Sequence, residues 1–110
     1  MQVSITARHC DIDQALRERV NREVQSLTKV FDRIIDADVV LAEDSGVARA
    51  DVVIHLYQHV LSASGQGVSP QQAFAVAIEK VERQLRKFKG KLLGRRAAKE
   101  VGTEERGTVV

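Results

Sequence analysis

Between positions 80 and 99 nine side chains are cationic (Lys80, Arg83, Arg86, Lys87, Lys89, Lys91, Arg95, Arg96 and Lys99) and one, Glu82, is anionic. That run carries a net +8, while the eight basic and 14 acidic residues of the remaining chain leave −6, a contrast hidden by the overall +2. A positive segment on an otherwise acidic chain suits a polyanionic partner met with one face only. The spacing adds detail. At about 100° per helical residue, Lys80, Arg83, Lys87 and Lys91 share an arc of about 80° on the flank of an apolar stripe. Arg22, Lys29 and Arg33 repeat the arrangement upstream, within about 40° of one another. A lysine-rich face that is merely solvated normally intersperses acids at i,i+4, and Glu82 is the single acid in this run, which favours nucleic acid or another polyanion.

Other groups with chemical potential are weaker. The aromatic residues are only Phe31, Tyr57, Phe74 and Phe88. Three of them fall on core stripes, so the exposed platforms on which single-stranded bases stack are lacking. Contact should then be mainly with phosphate and sugar, recognising the shape of a folded RNA. His9-Cys10-Asp11 places a thiol beside an imidazole, but sequence neighbours need not meet in space, and a lone cysteine is more often small inert filler. His55 and His59, four apart, would share a face on a helix; on a strand leading into a turn they need not converge on a metal. Gly65-Gln66-Gly67 lacks both the spacing and the lysine of a phosphate loop. Neither catalysis nor a cofactor, nor a small-molecule substrate, is expected.

The elements that must position the cations are legible from periodicity. The length of 110 residues, with 44% hydrophobic and 29% charged residues, fits one domain with a core. No apolar run approaches the roughly 20 residues of a membrane span, and the N-terminus lacks the pattern of a signal peptide, so a cytoplasmic protein without membrane contact is expected. Gln2 to Ala7 alternates as a half-buried strand. From Asp13, with Asp11 or Asp13 as N-cap, Leu16, Val20, Val24, Leu27 and Phe31 form a helical stripe. Ala37 to Ala42 reads as a second strand and Glu43 to Gly46 as a turn. In a third strand Ala50, Val52, Ile54 and Leu56 face one way. After a tight connection near Gln58-His59, Leu61 to Ser64 reads as a short fourth strand, which the glycines at 65 and 67 break. Ser69-Pro70-Gln71-Gln72 combines an N-cap serine, a proline at the first helical position and a capping-box glutamine. The helix it opens has the stripe Phe74, Ala77, Ile78, Val81, Leu85, Phe88 and Leu92, with fraying expected from Gly90 and Gly94. The result is an α+β fold of order β-α-β-β-β-α. Two helices pack on one face of a four-stranded sheet, with a parallel first pair, an antiparallel meander and a wet second face. Residues 1–94 form the domain and Arg95 to Val110 a disordered polar tail.

In this order the residues resemble the ribosome hibernation promoting factors and ribosome-associated inhibitors, over roughly residues 2–93. The similarity rests on Val3-Ser4-Ile5-Thr6-Ala7-Arg8-His9, on Ala15-Leu16-Arg17 through Val20, and on Phe31-Asp32-Arg33-Ile34. Its most specific segment is Ile78-Glu79-Lys80-Val81-Glu82-Arg83-Gln84-Leu85-Arg86-Lys87-Phe88-Lys89. The resemblance implies a non-catalytic protein that binds the small ribosomal subunit and its ribosomal RNA in stationary phase or stress. There it would occupy the decoding region used by mRNA and tRNA and hold the ribosome inactive. It further implies RNA contacts by Lys80, Arg83, Arg86, Lys87 and Lys89, joined by Arg22, Lys29 and Arg33; Lys91 belongs to the same ridge by spacing. The family usually enters its last helix through an acidic and aromatic pair, which Ser69 to Ala75 do not reproduce. Longer members add a C-terminal domain that pairs ribosomes. This chain resembles the short form, whose tail would permit or obstruct pairing with the help of a second factor. Two other readings stand beside this one: a general binder of structured RNA, and an interaction module whose basic helix docks on an acidic protein.

Overall fold

Alternation of apolar and polar residues draws four strands into one mixed sheet, and the computed structural model describes it over residues 1–97, with side-chain surroundings described to Gly90. Strand β1 (Gln2–Arg8) is followed by helix α1 (Gln14–Gln25), a 3-10 turn (Ser26–Lys29), strands β2 (Ile34–Asp44), β3 (Val47–Leu56) and β4 (His59–Gly67), and helix α2 (Pro70–Ala97). The strands lie in the order β1-β2-β3-β4. β1 and β2 are parallel across α1, and β2, β3 and β4 form the antiparallel meander. This is the α+β arrangement predicted from periodicity. Ala37, Val39 and Leu41 of β2 and Ala48, Ala50, Val52, Ile54 and Leu56 of β3 are buried against the helices, and among the described residues no polar or charged side chain is buried. Every cation among the described residues therefore lies at a surface.

Several boundaries differ from the sequence reading, each for a local reason. Asp13, not Asp11, caps α1, its carboxylate accepting the Leu16 N–H at 2.9 Å. The helix was expected to reach Phe31 and instead tightens after Gln25. The Ser26 hydroxyl donates to the Glu23 carbonyl at 2.6 Å and that of Thr28 to Gln25 at 2.8 Å, and such back-bonding competes with the α-helical ladder. Phe31 is still buried, because the 3-10 turn delivers it to the same side. The turn predicted over residues 43–46 contracts to Ser45-Gly46, with φ of 53° and 81°, so that Asp44 pairs with Val47. A two-residue turn with both φ positive matches the twist of its flanking strands.

The larger correction concerns β4, which runs through the glycines predicted to end it: Gly65 pairs with Ala50 and Gly67 with Ala48. A Cβ on Gly65 would collide with the Ala73 carbonyl and lie 2.7 Å from the Ala77 nitrogen. Glycine is there because α2 crosses the strand at backbone distance, not to break it. At the start of α2, Ser69 Oγ accepts the Gln72 N–H at 3.2 Å, while Gln72 Oε1 reaches back to the Val68 N–H at 2.7 Å, one residue beyond the usual capping-box donor. The helix continues past Gly90 and Gly94 to Ala97. Each glycine costs about 1 kcal/mol relative to alanine, which the long buried stripe of this helix outweighs. Arg95–Ala97, assigned above to the tail, are thus helical, and residues 98–110 lie outside the described residues.

Candidate nucleic-acid interface

The cations singled out in the sequence divide into two groups around α2. On the flank over β4, Lys80 Nζ donates to the Ser64 carbonyl at 3.0 Å, and one turn later Gln84 Nε2 donates to that of Ser62 at 2.9 Å. Lys87 is exposed one further turn along. On the opposite flank, Arg86 and Lys89 face Lys29 and Val30 across an open cleft of about 360 Å³, with Gly90 completing its wall. Lys29 comes from the 3-10 turn after α1, so cations from two separate elements meet at this cleft.

What fixes the two walls is apolar. The Phe31 and Phe88 rings pack edge to face with centroids 5.5 Å apart, and the His59 ring stacks on Phe88 at 4.6 Å. This arrangement ties the connection after α1, the start of β4 and the later turns of α2 together, and aromatic packing of this kind adds about 0.5–1.5 kcal/mol per pair beyond its buried area. His59 thereby turns to the helix layer while His55 points to the open face, so the two histidines do not converge. Cys10 is half-buried with Sγ 3.6 Å from the Leu41 carbonyl, and the neighbouring His9 is exposed with φ of 57°.

Not every predicted cation is equally available. Arg86 makes a two-armed contact with Glu82, at 2.8 and 3.2 Å, and Arg83 lies 4.0 Å from Glu79. Both are i,i+4 pairs with the acid on the N-terminal side, the stabilising orientation in a helix. Exposed pairs of this type contribute only about 0.3–0.5 kcal/mol, so a phosphate can displace the glutamate at little cost. Among the described residues no acid lies within 4 Å of Arg22, Lys29, Lys87 or Lys89. Arg22 is exposed in the last turn of α1, and Arg33 is exposed in the link before β2, beyond the helix. The upstream ridge is therefore three positions on three local structures rather than one helical face. Lys91 lies in α2, but its side chain is outside the described surroundings. The spacings of Glu79 to Arg83 and Glu82 to Arg86 were visible in the sequence; the bonds from Lys80 and Gln84 to β4 needed the packing of helix on sheet. Among Phe and Tyr, Tyr57 is the one strongly exposed ring of the described residues, at 76%; it sits in the β3–β4 turn and does not line the cleft.

Fold and surface together define an α+β binding domain with a cluster of cations on its helix layer. Residues 3–93 match the family described as Sigma 54 modulation protein / S30EA ribosomal protein, and the chain belongs to that family. Membership makes it a binding protein and not an enzyme. The chain is 35% identical over 94 residues to a ribosome hibernation promotion factor of Rhizobium meliloti, covering 84% of this chain but only 50% of that protein. It is 36% identical over 92 residues to the ribosome hibernation promoting factor of Escherichia coli K12, covering 84% and 97%. Two solved structures share the fold. A ribosomal subunit interface protein from Coxiella burnetii has a TM-score of 0.76 at 22% identity, over 83% of this chain and all of that one. The N-terminal domain of Thermus thermophilus Protein Y has a TM-score of 0.73 at 24% identity, over 80% and 99%. No helix is long and apolar enough, among the described residues, to cross a membrane.

Proposed function

We propose that this chain is a cytoplasmic ribosome hibernation factor. It binds ribosomal RNA of the small subunit through the cations of its helix layer, occupies the decoding region where mRNA and tRNA would sit, and silences translation in stationary phase or stress. The names of its relatives support the ribosome as partner. The single observation that carries the mode of binding is the cleft where Lys29 from one element meets Arg86 and Lys89 from another. Two cationic walls, with none of the chain's Phe or Tyr rings lining the space between them, suit a phosphate–sugar backbone of defined shape rather than splayed bases. Lys80, Arg83, Lys87, Arg22 and Arg33 extend this surface on either side, and Lys91 is assigned to it by its spacing in the sequence. Residues 1–94 act as the ribosome-binding unit, with the segment from Arg95 to Val110, whose first three residues end α2, modulating ribosome pairing by a second factor.

Sedimentation of purified ribosomes with the protein through sucrose gradients, at low and high salt, tests this reading. Co-migration with small subunits or whole ribosomes is expected at low salt. Because phosphate contacts release counterions, the binding constant should fall with a log–log slope of about 0.7–0.9 per neutralised phosphate. Protein remaining at the top of the low-salt gradient would overturn the proposal. Capture by free duplex RNA in competition would point instead to a general structured-RNA binder.

A further inference from the structure

The face of the sheet turned away from the helices carries a different set of groups. Asp36 on β2 pairs directly with His55 on β3, and Asp38, two residues along, shares their face. His55 Nδ1 stands 2.6 Å from Asp36 Oδ1 and 3.9 Å from Asp38 Oδ2, and one donor atom from each residue lies within 4.8 Å of the other two. Two aspartates on a sheet surface are by themselves unremarkable. The imidazole facing both changes the chemistry, because it makes a mixed nitrogen and oxygen donor set of the kind first-row transition ions take. Donor atoms around a tetrahedral ion at about 2.0–2.1 Å stand about 3.3–3.4 Å apart, so an ion would part the 2.6 Å His55–Asp36 hydrogen bond and draw Asp38 in from 3.9 Å, adjustments within reach of exposed side chains.

Charge separates this trio from its neighbours on the same face. Asp51 is answered by Arg49 at 3.4 Å and by the Ser64 hydroxyl. Among the described residues no lysine or arginine lies within 4 Å of Asp36 or Asp38. Two carboxylates are thus left with one imidazole between them. The three side chains are 37% to 51% exposed, which leaves room for water to complete a coordination shell.

We propose that Asp36, Asp38 and His55 form a binding site for a divalent first-row transition ion, with water in the remaining positions. Without an ion, His55 Nδ1 donates its hydrogen to Asp36; an entering ion takes that position on Nδ1, the displaced proton goes to solvent, and Nε2 carries the remaining ring hydrogen. Each aspartate gives one oxygen. Magnesium and calcium, which prefer shells made of oxygen alone, fit this set poorly. The site lies on the opposite side of the sheet from the cationic cleft, so metal binding and ribosome binding can be measured by separate variants.

The test is titration of the untagged, chelator-stripped chain with zinc, followed by calorimetry and by the NMR signals of the three histidine rings. One equivalent is expected to bind with selective perturbation of the His55 ring, undisturbed by excess magnesium. His55→Ala and the double variant Asp36→Asn with Asp38→Asn should each weaken binding about tenfold or more, by analogy with the loss caused even by outer-shell changes. Circular dichroism checks that each variant is folded, and Asp38→Asn alone serves if a more drastic variant is not. The proposal is overturned if the wild type binds no zinc, or if it and the folded variants bind equally; the trio is then an ion pair and nothing more.

Discussion

The two faces of this sheet are made from strands of one alternating pattern, yet their surfaces have opposite characters. Over the buried face, the helix layer presents Lys29, Arg86 and Lys89 around a cleft held open by Phe31 and Phe88. The bare face presents Asp36, Asp38 and Asp51 in a register fixed by the ladder. Each face leaves its charges differently satisfied. Arg83 and Arg86 are held by glutamates one turn back, loosely enough to exchange for phosphate, whereas Asp36 and Asp38 have, among the described residues, only His55 as a basic neighbour. The comparison teaches that a net charge of +2 is a poor guide to partners when a cationic cluster and an acidic one lie on opposite faces of the domain.

The sharpest way to break this comparison is to invert one side and neutralise the other. Reversing Lys29, Arg86 and Lys89 to glutamate should abolish co-sedimentation with ribosomes, while Asp36→Asn with Asp38→Asn should leave it unchanged. Loss of binding in the second variant would show that both faces serve one partner. Next in size is an effect on the fold that holds the two faces apart. Gly65→Ala puts a methyl group into the backbone of α2 and should destabilise the domain by about 1–3 kcal/mol, read from the denaturant midpoint.

Smaller effects grade the cations within the helix layer. Lys89→Ala should lower the salt-dependence slope of ribosome binding by about 1, as expected for one lost phosphate contact. Lys80→Ala should lower it less, because its ammonium is already engaged by the Ser64 carbonyl. Equal slopes for the two variants would remove that distinction. Smallest is Gly90→Ala: a Cβ there meets nothing within 4 Å, so the substitution should stabilise the chain by about 0.5–1 kcal/mol, measured as a rise in Tm.

Much of this was legible in the residues. The two-residue period of Ala50 to Leu56 and the helical stripe from Phe74 to Leu85 gave the element order and the buried faces, because burial enforces those periods directly. What escaped was decided by pairs distant in sequence. Gly65 read as a breaker because the passage of Ala73 and Ala77 over it is a fact of helix packing. The end of α1 moved because Ser26 and Thr28 bond to their own preceding turn. The family resemblance named the cations of the candidate site, but their sorting did not follow from spacing alone. Lys80 and Gln84 reach across to β4, and His55 meets Asp36, only once register and layer are set.

The bonds from Lys80 and Gln84 to β4 have one more consequence. β4 is the last strand of the sheet, and the Ser62 and Ser64 carbonyls are the groups through which another extended chain would zip onto it. An incoming strand must first displace an ammonium and an amide donated by α2. The helix that carries the cations therefore also obstructs strand addition at the β4 edge of the sheet.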